Sequence, residues 1–357
     1  MKVLQLIDSL ETGGAERVAV NFANSLSETE ISSYLCATRH EGLLKIGVLK
    51  TVGYLFLNKK GTLDLKAILR LRRFIKKEKI TIIHAHSSSF FLATLLKLTY
   101  PKLKLVWHDH YGKSEFLFQR PKLVLKLCSL FFNHVFCVNQ LLVQWNKKHL
   151  FTKHISYLPN FAVINNTPKQ TNLKGEEGKR IVCLANLRPQ KNHEFLIQAF
   201  KEVLNTYPDW TLHLVGKDFK DLYSEKLKSL IKTLDIEEHV FIYGSCPDTS
   251  QIIKQATLTV LPSISEGLPL ALLEYGLMAK PTIATNVGQC QEVIINNQTG
   301  ILIASNDLEA FINAIKTLIR DQDKASKYSN QLLEHVTMHF SQTSIINQIL
   351  KVYRRFA

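Results

Sequence analysis

A chain of 357 residues and 40.8 kDa exceeds what one typical hydrophobic core organises, so two domains are expected. Hydrophobic residues make up 46% of it, the content of a globular protein, and no run of 18 uninterrupted apolar residues is present to span a membrane. The net charge of +15 is lopsided: residues 1–170 hold 25 Lys and Arg against 10 Asp and Glu, whereas residues 171–357 hold 20 of each, so the basic half is expected to meet an anionic surface.

The N-terminal Met1-Lys2-Val3-Leu4-Gln5-Leu6-Ile7-Asp8 enters a strand pattern directly, without the h-region and cleavage site of a secretory leader, so a cytoplasmic protein is expected. Short apolar runs then alternate with amphipathic stretches, the α/β pattern of parallel sheets. Strands are expected at 3–7, 80–84, 104–107, 134–138 and 155–158, and helices at 14–26, 65–77, 90–98 and within 122–132. The apolar zone 123–143 is interrupted by Lys126, Asn133, His134, Asn139 and Gln140. A polar stretch, 165–178, reads as a linker. A second series follows, with strands at 180–185, 211–215, 240–243, 257–261, 281–284 and 300–303 and helices at 193–206 and 225–234. Two doubly wound domains result, 1–167 and 172–340, and ligands of such sheets bind in a cleft. The six cysteines are scattered without a Cys-x-x-Cys pair and read as reduced core residues.

The chemistry concentrates in Ser265-Glu266-Gly267-Leu268-Pro269-Leu270-Ala271-Leu272-Leu273-Glu274, which reads as strand, loop and helix with Pro269 as the first helical residue. Glu266 lies at the helix mouth and Glu274 about a turn and a half inside. The mouth offers backbone N–H groups and positive dipole to a phosphate. Carboxylates beside an anion site suit a ligand that is part polyol and part phosphate, such as a nucleotide sugar. Upstream, Ala185-Asn186-Leu187-Arg188-Pro189-Gln190-Lys191-Asn192 places Arg188 and Lys191 in a loop before a helix, where two cations can neutralise a diphosphate. Thr12-Gly13-Gly14-Ala15-Glu16 opens the first helix, and Gly216 follows a strand; glycines there let backbone pass close to a ligand. No G-x-G-x-x-G is present, which speaks against an ordinary dinucleotide fold.

Glu266 and Glu274, with seven residues between them, resemble the E-x7-E motif of retaining GT-B glycosyltransferases, and the similarity is greatest to the large family 4 group. Gly13-Gly14 resembles the G-G-x-E loop of that family, and Lys191 matches the lysine of its G-R-L-x-x-x-K-G pattern. Asn186 stands where the family arginine usually stands, with Arg188 two positions later. The resemblance implies a GT-B fold of two Rossmann-like domains facing a cleft, with the final helix, about 341–357, crossing back to the first. It implies retaining transfer from a UDP- or GDP-sugar bound by the second domain to a saccharide on the first, in bacterial surface polysaccharide synthesis. In that picture Arg188, Lys191, Gly267 and Leu268 face the leaving diphosphate, Glu274 the ribose and Glu266 the donor sugar. No bound metal is required. A histidine near the acceptor is implied too, either His108 or His110, with His108 favoured and Asp109 as its neighbour.

Two His-x-His pairs, His84-Ala85-His86 and His108-Asp109-His110, could each share a strand face, but no third metal ligand is evident. Asp321-Gln322-Asp323 reads as a helix-end turn and not as a metal motif. Glu292 could touch a ligand or lie on a surface helix. Residues 66–77 form a basic amphipathic helix, and 116–126 mix aromatics and cations without an acid, a composition of membrane interfaces. A lipid-linked acceptor at the inner membrane face is therefore expected. Nucleic acid is not, since no nucleic-acid-binding signature accompanies the charge. A nucleotide-sugar epimerase and a non-catalytic nucleotide-sugar-binding protein remain open beside the transferase reading.

Overall fold

The structure is a computed structural model that describes residues 1–112, 114–164 and 167–356. It comprises two compact units: Met1–Phe161 with Gln342–Ala357, and Ala162–Ser341. Asn165 and Asn166 of the expected linker, Lys113 and the terminal Ala357 lie outside the described residues.

Unit 1 runs β1 (Lys2–Ser9), α1 (Gly14–Ser27), β2 (Ser32–His40), β3 (Gly53–Phe56), α2 (Leu65–Glu78), β4 (Ile82–His86) and α3 (Phe90–Thr99). It continues with β5 (Lys104–Asp109), α4 (Leu123–Cys128), β6 (His134–Cys137), α5 (Gln140–His149) and β7 (Ile155–Tyr157). The seven strands are parallel in the order β3-β2-β1-β4-β5-β6-β7, so the winding direction reverses between β1 and β4. Strands buried on both faces need apolar residues at successive positions, which Val3, Leu4, Leu6 and Ile7 supply in β1. Two strands, β2 and β3, escape the sequence reading. β2 is flanked by Ser32 and His40, and β3 is a four-residue edge strand, so neither carries a long apolar run.

Unit 2 runs β8 (Arg180–Leu184), α6 (His193–Leu204), β9 (Thr211–Val215), α7 (Leu222–Thr233), β10 (Val240–Gly244), α8 (Thr249–Gln255) and β11 (Leu258–Leu261). Then come α9 (Leu270–Leu277), β12 (Thr282–Thr285), α10 (Cys290–Val293), β13 (Ile301–Ile303), α11 (Leu308–Arg320) and α12 (Gln322–His339). Its sheet order is β10-β9-β8-β11-β12-β13, again parallel, with the reversal between β8 and β11. The last helix, α13 (Gln342–Tyr353), belongs to unit 1, where Tyr353 is fully buried.

The described part of the expected linker is not a loose tether. Asp248 accepts from the N–H groups of Gln170 and Thr171, both at 2.7 Å, and from the Thr171 hydroxyl at 2.9 Å. Leu173 is buried, and its N–H donates to Gln255. Polar composition suggested a linker, but side chains of unit 2 capture the segment. All six cysteines are free and buried. Asp321 caps α12 by accepting from the Lys324 N–H, which agrees with a helix-end turn.

Candidate active site

In unit 2 the loops after β8, β9, β11 and β12 emerge from the same edge of a parallel sheet, at its topological switch point. The β8 loop bears Arg188 and Lys191 around the 3-10 turn Pro189–Lys191. The β11 loop bears Glu266 and leads into α9. The Ile264 N–H donates to the Gln190 carbonyl at 2.8 Å, joining the two loops. The side chains meet as well: Lys191 Nζ lies 2.5 Å from Glu266 Oε1, and the Ser263 hydroxyl donates to the same oxygen at 2.6 Å. Both glutamates are buried, Glu266 at 6% exposure and Glu274 at 5%, a costly state for acids that needs bonded partners.

Pro269 is the N-cap of α9, not its first helical residue, with ψ at 118°. The residue before the helix must be extended, and proline allows that. Glu274 is thus the fifth helical residue, a little over one turn in, nearer the mouth than expected. Buried Tyr275 fixes the helix to the sheet: its hydroxyl accepts from the Leu184 N–H at 2.7 Å. Leu268 is buried, and the Gly267 carbonyl accepts from the Gln289 N–H at 3.0 Å.

Arg188 is exposed and does not lie against the Lys191–Glu266 pair. Its guanidinium stacks 4.7 Å from the centre of the Phe219 ring, over which Lys217 Nζ also sits at 5.4 Å. Asn186 has a backbone role: its Oδ1 accepts from the Lys217 N–H at 2.8 Å and holds the β9 loop against the β8 loop. A Cβ on Gly216 would strike the Ala185 carbonyl, so this close approach requires glycine. Gly288 after β12 is equally constrained, with φ at +54° and a Cβ position blocked by the Glu266 carbonyl. Glu292 is bonded by Gln289 Nε2 at 2.5 Å, and its carbonyl accepts from His335, so it is committed within unit 2.

The sequence reading missed Lys217, Phe219, Ser263, Tyr275 and Gly288. Lys217 directly follows Gly216, and Gly288 stands four residues before Glu292, both of which were singled out. For Tyr275 the one-dimensional pattern holds no signal, because its partner Leu184 comes from another strand, whereas Ser263 stands only three residues before Glu266, to which it donates.

Unit 1 carries the histidines. His84 and His86 on β4 and His108 on β5 point to one face, with His86 opposite His108 in register, and all three are fully buried. The fold therefore supplies the third histidine that the sequence did not reveal. Their candidate donor atoms lie within 4.8 Å of one another, but the rings are stacked, His84 at 12° to His86 and 15° to His108, so their lone pairs run side by side. As arranged, the trio is a stack and not a chelate. Burial, followed by the neighbouring histidines, holds all three well below the usual imidazole range, so they are neutral near pH 7.

His108 is thus the fully covered ring of its pair. It is 0% exposed, and both its ring nitrogens lack hydrogen-bond partners. His110 is the partly exposed one, at the end of the same face. Gln5 Oε1, 2.8 Å from His86 Nε2, can only accept, so His86 carries its proton there. His86 Nδ1, 3.0 Å away, then accepts from His110 Nε2–H, which leaves His110 Nδ1 as an acceptor. Burial pushes the His110 imidazole down to about 4, opposed by Asp109. Asp109 itself alternates to the opposite face. It is 1% exposed, receives both Arg120 amino groups at 2.8 Å and the Asn146 amide at 2.8 Å, and does not partner a histidine ring. In the β1 loop, Gly13 is the N-cap of α1, and a Cβ there would strike the Glu16 carboxylate. Gly14 has open space at its Cβ position, so no close approach requires a glycine there.

The family profile described as Glycosyl transferases group 1 matches residues 165–334, and that described as Glycosyltransferase Family 4 matches residues 12–164. Together they span 12–334 without a gap. The chain is a GT-B glycosyltransferase. This glycosyltransferase is 28% identical over 281 residues, 72% of it and 71% of its relative, to the UDP-Gal:alpha-D-GlcNAc-diphosphoundecaprenol alpha-1,3-galactosyltransferase of Escherichia coli. It is 24% identical to an uncharacterised glycosyltransferase of Haemophilus influenzae, covering 87% of this chain and 88% of that one. Its fold matches that of Anabaena HepE, solved with UDP-glucose, at a TM-score of 0.81 and 18% identity over 99% of this chain and 100% of that one. The α/β two-domain GT-B class read from the sequence is the observed class. No helix among the described residues is long and apolar enough to cross a membrane.

Proposed function

We propose that this glycosyltransferase moves a sugar, with retention at the anomeric carbon, from a nucleoside diphosphate sugar to a lipid-linked saccharide in bacterial surface polysaccharide synthesis. The observation that carries the reading is the buried Lys191–Glu266 pair at the unit 2 switch point, with Glu274 one turn into the adjoining helix. Unit 2 takes the donor. Glu274 accepts from ribose hydroxyls and Glu266 from donor-sugar hydroxyls. Lys191, with Arg188 swinging off Phe219, offsets the charge of the departing diphosphate, an electrostatic task that needs no bound metal. The bond from the anomeric carbon to the phosphate oxygen breaks. The bond to the acceptor oxygen forms on the same face, and the acceptor proton passes to the leaving phosphate. Unit 1 takes the acceptor, with His110 Nδ1 as a hydrogen-bond acceptor at its rim. The name of the E. coli relative, with UDP-galactose as donor and a diphosphoundecaprenol-linked sugar as acceptor, supports a UDP-sugar donor and a lipid-linked acceptor.

A thermal-shift panel of UDP, GDP, ADP and CMP, in EDTA, on wild type and Glu274→Ala tests the donor site. A nucleotide at 100 times its dissociation constant adds about 2.7 kcal/mol of stability. UDP is expected to raise the melting temperature of the wild type and not of the variant. No shift from any nucleotide would remove the donor-site reading. Anomeric coupling constants of the isolated product then report retention or inversion.

A further inference from the structure

From the exposed side of α4 and the aromatic loop before it, we infer that unit 1 docks on an anionic bilayer through this one face, and not through the basic helix α2. The inference rests on the acceptor reading of unit 1 and names the surface by which a lipid-linked acceptor is reached.

Residues 116–175 contain no Asp or Glu and eight Lys and Arg, whereas the chain as a whole carries 30 acids. Within that stretch, α4 and the 3-10 turn Ser129–Phe131 turn Leu125, Cys128 and Ser129 inward. The other side of the helix is apolar and bare: Leu123 is 73% exposed, Leu127 54% and Leu130 61%, at the i, i+4, i+7 spacing of one helical face. An amphipathic segment whose outer face is also apolar has not found its solvent in water. Phe118, 81% exposed and paired with Phe116 at 6.5 Å, stands in the preceding loop.

The loop is anchored. Arg120, two residues on, inserts its guanidinium between Tyr111 and Trp145, each ring centre at 4.5 Å, and binds buried Asp109 with two hydrogen bonds. A buried, caged ion pair at the base of the loop presents its aromatics outward.

Cations border the face. Lys122, at the N-cap of α4, and Lys126 within it are exposed, and both, with Lys148, help burial to lower the His149 imidazole, which places those cations close together. Apolar side chains flanked by lysines complement an interface of acyl chains and anionic headgroups. The helix α2 offers charge with a smaller apolar face and no exposed aromatic. Its Arg70 and Arg72 are engaged with the Leu57 and Thr99 carbonyls, and only Leu65 and Leu69 of its apolar residues are exposed.

Flotation of the full chain tests this, with vesicles of phosphatidylcholine alone and of equal parts phosphatidylcholine and phosphatidylglycerol. Wild type is expected to float with the mixed vesicles only. Phe118→Ser with Leu127→Gln, and separately Lys122→Glu with Lys126→Glu, are expected to cut the bound fraction at least tenfold. Arg73→Glu with Lys77→Glu on α2 is expected to leave it within twofold. The UDP thermal shift, measured on every variant, reports folding and the donor site independently. Equal flotation of wild type and both α4 variants, or no flotation of wild type while UDP still shifts its melting temperature, overturns the docking face and leaves the transferase reading standing. Sedimentation showing a wild-type dimer that Leu127→Gln dissociates would assign the face to a second copy and overturn it too.

Discussion

Lys191 and Glu266 show how far a motif can be read residue by residue. The sequence singled out both and assigned each a separate ligand contact, yet in the fold they bind each other. Removing Lys191 leaves a carboxylate at 7% side-chain exposure without its cation, and breaking such a buried pair costs up to about 3–5 kcal/mol. The 23% exposure of Lys191 places this pair toward the low end of that range. Lys191→Ala is therefore expected to lower both stability, by urea denaturation, and transfer, by at least a hundredfold. Lys191→Arg is expected to rescue stability better than transfer. His108 gives the opposite case. Its two buried nitrogens have no partner, and each such group carries a desolvation penalty of about 1–3 kcal/mol. His108→Leu is expected to leave the protein as stable or more stable, and to retain transfer. His110→Ala is expected to lose transfer, and to cost about 1–3 kcal/mol of stability because it leaves the buried His86 Nδ1 without its donor. Loss of transfer in His108→Leu alone would reverse that assignment. The sequence could not separate the two rings, because period-2 alternation puts both on one face and says nothing about which end is covered.

Elements were more legible than contacts. All six strands of unit 2, its edge strands β10 and β13 included, carry apolar runs and were found. β2, which opens on two serines, and the four-residue β3 were not. Loops, by contrast, are set by what approaches them. Gly288 reads as an ordinary loop glycine, yet its positive φ and the Glu266 carbonyl in its Cβ position make it the support under the Glu266 loop. Gly288→Ala is expected to destabilise the chain by about 1–3 kcal/mol and to weaken UDP binding, measured by calorimetry, more than a remote loop change of equal stability cost. Tyr275→Phe removes the acceptor of the Leu184 N–H and leaves that donor buried. A loss of about 1–3 kcal/mol is expected, visible as a lower urea midpoint at unchanged slope.

For the whole molecule, the histidines tie stability to pH. Imidazoles of His84, His86 and His108 are held well below 6.5 by burial, and His110 and His134 are lowered to about 4. An unfolded chain binds these protons near pH 6.5 while the native chain refuses them until far lower. The unfolded state thus holds more protons in between, and stability falls as pH drops below about 6.5. Urea midpoints at pH 7.5, 6.0 and 5.0 are expected to fall in that order, with a shallower slope in His108→Leu. A flat profile would mean that the buried stack is not formed.

The sequence by itself determined the class of the molecule. Alternating apolar runs fix parallel α/β layers, and two glutamates beside a helix mouth, with cations three strands earlier in the chain, single out the residues of the proposed donor site. Both are local patterns, carried by spacing along the chain. Tertiary structure alone decided the pairings: Glu266 with Lys191, Asp109 with Arg120 and not with a histidine, Asn186 with the Lys217 backbone, and α13 with unit 1. It also decided burial, which closes His108 and leaves His110 and the outer face of α4 open. These are contacts between segments tens to hundreds of residues apart, and their energy depends on distance and desolvation, which no spacing in one dimension records.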